Sequence, residues 1–228
     1  MPREQPSPFG EVPDPLSAPG ARFETLTMPV VAGNVGPTRA ELQRRWSFSL
    51  GFCALWFLAQ LLAFGLRKNW AELPVGYLVP LVALPLAAAV LSIGLARAAG
   101  RLGLGLGRRP LALWGALSLA TPLALGFLLT PPAKMVGSAQ NHLICVLMVL
   151  GWSVPPLLVL GSVVRRSFVA QSGLRSAHLA AAAGLLAATI ANLHCALVES
   201  AHVALAHGLP VTALSVLGAL FVAPRARS

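Results

Sequence analysis

The sequence predicts an all-helical membrane protein, a bundle of six transmembrane helices that follows a disordered N-terminal tail. Only 11% of the 228 residues are charged and 56% are apolar, whereas soluble domains have about 25% charged residues. The mean hydropathy is +0.74. The apolar residues fall into six separate stretches, each close to the ~20 residues that cross ~30 Å of hydrocarbon.

Residues 1–45 are predicted to form a cytoplasmic tail, and residues 1–37 of it are rich in Pro, Gly and small polar residues. Such a segment buries too little apolar surface to offset the entropy cost of ordering, so it is expected to be disordered alone. Apolar side chains along the tail offer anchors for folding on a partner. These anchors are Phe9, Leu16, Phe23, Leu26, Val30 and, at the helix entry, Leu42. An inert tail is the alternative interpretation.

A helix is predicted to begin at Thr38, because Thr38 and Glu41 have the spacing of a capping box. The transmembrane domain covers residues 46–224 and leaves residues 225–228 as the cytoplasmic C-terminus. Its predicted spans are residues 46–66, 75–96, 111–130, 143–164, 177–198 and 208–223. Prolines inside these spans, such as Pro85 and Pro156, should kink them in a way that neighbouring helices accommodate.

The distribution of basic residues predicts a multi-pass protein with both termini in the cytoplasm. Twelve arginines flank the spans on one side, whereas the other side carries Arg67, Lys68 and Lys134, and basic loops stay cytoplasmic. The excess of Arg over Lys, 15 to 2, is typical of a GC-rich bacterial gene, which places the chain in a bacterial inner membrane. Because the net charge of +10 belongs to these loops, the expected contact is the lipid bilayer, with no direct nucleic-acid binding.

The spans lack the groups that transport and catalysis require. No predicted span has Asp, Glu, Lys or Arg in its interior, whereas ion and proton pathways normally need ionisable groups there. The same absence removes the acid and base pairs of hydrolytic chemistry. We therefore expect a protein that is neither a pump nor an enzyme.

Residues 142–207 hold two of the three cysteines and four of the five histidines: Cys145, Cys195, His142, His194, His202 and His207. The predicted topology brings these side chains to one membrane face. Three interpretations remain open. The two cysteines could form a disulfide; they could join histidines, with His142 and His202 as candidates, in a site for zinc or another soft metal; or they could be plain packing. Cys53, inside the first span, is interpreted as packing.

Several short motifs carry a family resemblance: Leu143-Ile-Cys145, Ser153-Val-Pro155, Leu193-His194-Cys195 and Leu217-Gly218-Ala219. They resemble the NrsF-type family of six-span bacterial membrane anti-sigma factors. The resemblance implies that the tail binds an extracytoplasmic-function sigma factor and holds it at the membrane until a signal releases it. Cys145, Cys195 and His194 are then the expected redox or sensing residues.

Within that family, the acidic tail and the Arg-rich helix entry are most similar to the anti-sigma factors of light-induced carotenoid synthesis in myxobacteria. This similarity implies light or reactive oxygen as the signal and a membrane protease as a further candidate partner. The chain has no recognisable chromophore-binding motif, so no bound cofactor is expected. A different class stays open as the alternative, a membrane thiol or metal redox protein that uses the Cys/His cluster as its working site.

Overall fold

The computed structural model describes residues 38–67, 71, 73–98, 108–128, 139–165, 172–197 and 199–222. Within these residues the secondary structure is helical, with no strand, as the composition predicts. The helices are α1 (Arg39–Phe64), α2 (Val75–Ala98), α3 (Arg108–Leu128), α4 (Ala139–Arg165), α5 (Ser172–His194), α6 (Ser200–His202) and α7 (Leu209–Val222), with a π-helical segment, Val203–Gly208, between α6 and α7. The anchors proposed in the tail before Thr38 lie outside the described residues.

Five stretches of the described chain are long and apolar enough to cross a membrane, rather than the six predicted. They are Arg39–Phe64, Val75–Arg97, Asn141–Val163, Gly173–His194 and Ser200–Leu220. The remaining prediction, 111–130, corresponds to α3, whose described apolar part, Ala112–Thr121, is shorter than a crossing requires. The last span begins at Ser200 instead of near residue 208, because the helix runs through Gly208 and Pro210 instead of starting there.

The start of α1 follows the predicted capping pattern. The Thr38 hydroxyl accepts a hydrogen bond from the Glu41 backbone N–H at 3.2 Å, which satisfies one of the unpaired donors of the first turn. The Glu41 carboxylate pairs with Arg45 one turn later. Leu42, predicted as a partner contact, is half-buried and packs against a core cluster that includes Trp46.

Arginine side chains lie around Trp46 at one end of the bundle. The guanidinium carbons of Arg97 and Arg175 lie 5.5 and 5.8 Å from the Trp46 ring centroid. These residues belong to the start of α1, the end of α2 and the start of α5. The start of α4 and the end of α5 therefore lie at the opposite end, where the Cys/His residues are found.

Helix α5 is the centre of the bundle and packs against α2, α4 and α7. Its membrane-spanning window is 89% buried, against 44% or less in the other four spans. Small side chains make this possible, because the run Ala180–Ala183 lets neighbouring helices approach closely, and each alanine in it is at most 2% exposed.

Two prolines leave backbone carbonyls without their usual helical N–H partner, and side chains of other helices donate hydrogen bonds to these carbonyls. Proline has no N–H, so Pro85 leaves the Leu81 carbonyl unpaired and Pro156 leaves that of Trp152 unpaired. The Asn192 amide donates to the Leu81 carbonyl at 2.9 Å. The Trp56 indole donates to the Trp152 carbonyl at 3.1 Å. Both prolines are thus accommodated by neighbouring helices, as expected.

Helices α5 and α7 approach so closely that two glycines are required between them. A Cβ added at Gly218 would lie 2.8 Å from the Ala180 Cβ and 3.0 Å from the Ser176 carbonyl oxygen. A Cβ at Gly184 would lie 3.2 Å from the Val211 Cα. The backbone of a packed helix cannot retreat cheaply, so larger residues at these positions would separate the two helices.

We expect the Gly218→Ala substitution to destabilise the protein by about 1–3 kcal/mol, the usual cost of overpacking a close-packed core. The measurement is the Tm of the purified protein in detergent. Gly161→Ala in α4 is the matched control, because a Cβ there meets no atom within 4 Å. A Tm of the Gly218→Ala variant at or above that of the control would contradict the close α5–α7 contact.

Candidate functional site

The candidate site lies where α4 begins and α5 ends. Cys145 is in the second turn of α4, and Cys195 directly follows His194, the last residue of α5. The two sulphur atoms lie 3.6 Å apart, and both residues are free thiols, as is Cys53. A disulfide requires about 2.05 Å, so the structure brings the predicted pair into contact without an S–S bond.

Two buried histidines complete this cluster. The His202 Nε2 lies 3.3 Å from the Cys195 sulphur, and the His207 ring packs edge-on against the His202 ring at 5.0 Å between centroids. One ligand atom from each of Cys145, Cys195, His202 and His207 can be chosen so that all four lie within 4.8 Å of one another. The two histidines are at most 1% exposed. We refer to these four residues as the Cys2His2 cluster.

The π-helical segment explains how His202 and His207 reach the same site. Residues five apart in an α-helix point about 140° away from each other, because each residue turns the helix by about 100°. In a π-helix, residues i and i+5 are hydrogen-bonded and point much more nearly in the same direction, because each turn contains more residues. The segment Val203–Gly208 therefore turns His207 toward the side that His202 faces. A wide helical turn of this kind is frequent at functional sites.

Asn192 determines the protonation pattern of the His207 ring. Its amide nitrogen must face the Leu81 carbonyl, which can only accept, so its oxygen faces the His207 Nδ1 at 2.5 Å. The Nδ1 atom must consequently carry the proton, which leaves a lone pair on Nε2 in the neutral ring. Within the described residues this Nε2 makes no hydrogen bond of ordinary geometry.

Arg67 caps the end of α5 beside Cys195. Its backbone N–H donates to the Leu193 carbonyl at 2.9 Å, and its guanidinium donates to the Ala196 carbonyl at 2.8 Å. The first bond satisfies a carbonyl that the helix C-terminus leaves unpaired, the second binds the segment just after the helix, and the positive charge suits that end of the helix dipole. Arg67 is 3% exposed, and burial lowers the pKa of its guanidinium. The sequence predicts only a loop charge here, and no local pattern indicates the capping role of Arg67.

The electrostatic surroundings distinguish Cys195 from an ordinary cysteine. A hydrogen bond from the Cys145 thiol lowers the pKa of Cys195, burial opposes this effect, and the contact with the His202 ring reinforces it. The net direction is downward. Because the thiolate is the nucleophilic form of cysteine, this direction favours Cys195 over Cys145 as the nucleophile of the pair.

His194 and His142 lie beside the cluster and not within it. The His194 ring contacts the Phe64 ring edge-on at 5.5 Å between centroids. The His142 ring packs against His202 at 4.7 Å, and its Nε2 lies 4.0 Å from a Glu199 carboxylate oxygen. Of the two histidines predicted as candidate metal ligands, the structure places His202 in the cluster and His142 in a layer behind it. His207, the other histidine of the cluster, was not among those candidates.

A cavity of about 470 Å³ borders the thiol pair. Its walls include all three residues predicted as redox or sensing groups, Cys145, Cys195 and His194. The aromatic side chains of Phe64 and Trp152 line the same space. A cavity of this size gives a small apolar or neutral molecule room to reach both sulphur-bearing residues.

A family model named NrsF, negative regulator of sigma F, matches residues 31–227. The chain belongs to the NrsF family. Membership implies that this NrsF-family protein negatively regulates a sigma factor and that its partner is a sigma factor. The match includes the whole Cys2His2 cluster, whereas the five tail anchors from Phe9 to Val30 precede it. Comparisons with curated proteins and with solved structures gave no significant match.

Proposed function

We propose that this NrsF-family protein is a membrane-bound anti-sigma factor. It sequesters an extracytoplasmic-function sigma factor through residues 1–45 and acts by binding, without catalysis. The observation that carries the proposal is the family match over residues 31–227. The five helices able to span a membrane support an anchored mode of sequestration. The arginine distribution of the sequence favours a bacterial inner membrane with both termini, and thus the sigma factor, on the cytoplasmic side.

The proposed signal is oxidation of Cys145 and Cys195. The sulphur atoms are 3.6 Å apart and border a cavity, so a small oxidant such as a peroxide can reach them. The peroxide takes two electrons and two protons from the two thiols and leaves as two water molecules, while the S–S bond forms. Light would act by generating reactive oxygen. The resemblance to the anti-sigma factors of light-induced carotenoid synthesis supports the control of carotenoid genes and the participation of a membrane protease.

The packing of the bundle supports a route from the thiols to the tail. Bond formation would pull the start of α4 toward the end of α5, since the sulphurs must approach to about 2.05 Å. Both helices continue to the opposite end, where Leu160 of α4 and Leu179 of α5 pack in one cluster with Trp46 of α1. Leu42 touches that cluster. A displacement of α4 against α5 therefore reaches the residues that follow the tail.

Co-purification with the detergent-solubilised full-length protein tests the function. We expect the reduced protein to retain a sigma factor, identified by mass spectrometry, and a variant lacking residues 1–37 to lose at least nine-tenths of it. Peroxide treatment should release the sigma factor from the full-length protein. If both proteins retain the same amount, the tail is not the binding segment; if neither retains a sigma factor, the sequestration proposal is wrong.

A membrane thiol or metal redox protein is the second candidate, and the Cys2His2 cluster favours it. Such a protein would exchange disulfides with a partner through Cys195. The Cys145→Ser variant would then accumulate a mixed disulfide that no second thiol resolves. Absence of any such adduct on non-reducing gels, together with sigma retention by the same variant, would eliminate this candidate.

A further inference from the structure

Two distances within the Cys2His2 cluster are close to the edge lengths of a coordination tetrahedron. Zinc sites have Zn–S distances of about 2.3 Å and Zn–N distances of about 2.0–2.1 Å, so two sulphurs are about 3.8 Å apart and a sulphur and a nitrogen about 3.6 Å. The observed separations are 3.6 Å between the sulphurs and 3.3 Å from the Cys195 sulphur to the His202 Nε2. The four ligand atoms span at most 4.8 Å, so closure around an ion needs shifts of about 1 Å.

The fourth ligand is oriented for coordination by its surroundings. Asn192 bridges the Leu81 carbonyl and the His207 Nδ1, which holds the ring and leaves the Nε2 lone pair available. Metal-bound histidines nearly always donate their other ring N–H to such an acceptor. The His207 side chain is 1% exposed and its Nε2 has no ordinary hydrogen-bond partner in the described part of the chain. A buried nitrogen in this state is costly unless something binds it.

The charge balance of the cluster also favours a divalent ion. Two thiolates and two neutral imidazoles around a doubly charged cation form a site with no net charge. Such a site can exist in the interior of an apolar bundle, whereas two adjacent thiolates without a cation could not both persist there. A tetrahedral set of two sulphur and two nitrogen ligands selects zinc among the common divalent metals.

We propose that Cys145, Cys195, His202 and His207 bind one Zn²⁺ ion, and that the bound ion protects the two thiols from oxidation. Zinc binding itself does not depend on the proposed function, whereas the role of zinc in regulation rests on that function. When a peroxide reacts with the loaded site, two thiolates supply two electrons and the buffered solvent supplies two protons, so two equivalents of acid are consumed. The products are the disulfide, two water molecules and the released ion. The oxidative signal is then sensed as loss of metal together with formation of the S–S bond.

Metal titration of the full-length protein in detergent tests the binding step. The protein is reduced, stripped of metal and titrated with Zn²⁺, and separately with Co²⁺, whose tetrahedral thiolate complexes absorb in the visible and near-ultraviolet. We expect one ion per chain and a thiolate-to-cobalt charge-transfer band. The variants His202→Ala and His207→Ala should bind at least tenfold more weakly. The matched controls are His194→Ala, next to Cys195 but outside the cluster, and Cys53→Ser, a buried thiol elsewhere; both should bind like the wild type.

A second measurement needs no change in the cluster and so does not depend on folding of those variants. In the Cys53→Ser background, one equivalent of Zn²⁺ should slow alkylation of Cys145 and Cys195 by at least tenfold and delay peroxide-driven disulfide formation. Absence of the charge-transfer band, or equal thiol reactivity with and without Zn²⁺, would overturn the proposal. If the protein does not bind zinc but still retains the sigma factor, the zinc proposal is wrong and the anti-sigma function stands. If the protein binds zinc but retains no sigma factor, the metal site stands and the anti-sigma function is wrong.

Discussion

Removal of residues 1–37 is expected to leave the genes of the partner sigma factor fully expressed without any inducer. Because residues 1–45 are the proposed binding segment, expression should rise to the level seen when the whole regulator is deleted. A disordered segment that orders on binding sacrifices part of its interaction energy, several kcal/mol in typical cases, which keeps the complex easy to release. The measurement is a reporter fused to a promoter of that sigma factor.

Loss of the protein from the membrane would produce the same reporter level, so the test requires two controls. Membrane fractions should contain equal amounts of the shortened and full-length proteins. A variant lacking residues 223–228, at the other terminus, should repress normally. Normal repression by the protein without residues 1–37 would show that the sigma factor binds elsewhere on the chain.

Substitution of either Cys145 or Cys195 by serine is expected to abolish the response to peroxide or to light. A disulfide needs both sulphurs, so each single variant should keep the reporter at its uninduced level where the wild type is fully induced. The Cys53→Ser variant is the control within the same chain, because Cys53 is buried in the cluster around Trp46, away from the thiol pair. Its induction should equal that of the wild type.

Zinc binding also predicts how the peroxide dose that induces the reporter should change. If the ion protects the thiols, the His207→Ala variant should respond to a lower peroxide dose than the wild type does, while the two cysteine variants do not respond at all. Equal induction in all three cysteine variants would exclude a sensing role for the pair and leave sequestration by the tail unaffected.

Chemical differences between Cys145 and Cys53 also explain why only one of these thiols suits a sensor. Cys53 lies among apolar side chains at 5% exposure, in surroundings that disfavour the reactive thiolate. Cys145 has a second thiol at hydrogen-bond distance and borders a cavity. Position in the bundle, and not residue type, thus decides which cysteine borders the cavity.

Local chemistry alone was sufficient to predict the class of the molecule and much of its layout. The low charge content, the length of the apolar stretches and the capping pair Thr38 and Glu41 act within short segments, and short segments can be interpreted without knowing the fold. The sequence also predicts that Cys145 and Cys195 lie at the same membrane depth, since antiparallel neighbouring spans would place these helix ends at one face, whereas the contact between the two sulphurs comes from the packing. Membership of the NrsF family agrees with the resemblance carried by the cysteine motifs.

Only the tertiary structure decided the composition of the cluster. His202 and His207 are five residues apart, and side chains with this spacing point in different directions in an α-helix. Their proximity therefore depends on the π-helical turn between them. The proline at position 85 indicates that the Leu81 carbonyl is free, but only packing of α5 against α2 selects Asn192 as its donor and, through Asn192, orients His207. Arg67 likewise becomes a helix cap because the end of α1 meets the end of α5. Each of these contacts joins residues far apart in the chain, and their geometry is set by how the helices pack and not by the preferences of any one segment.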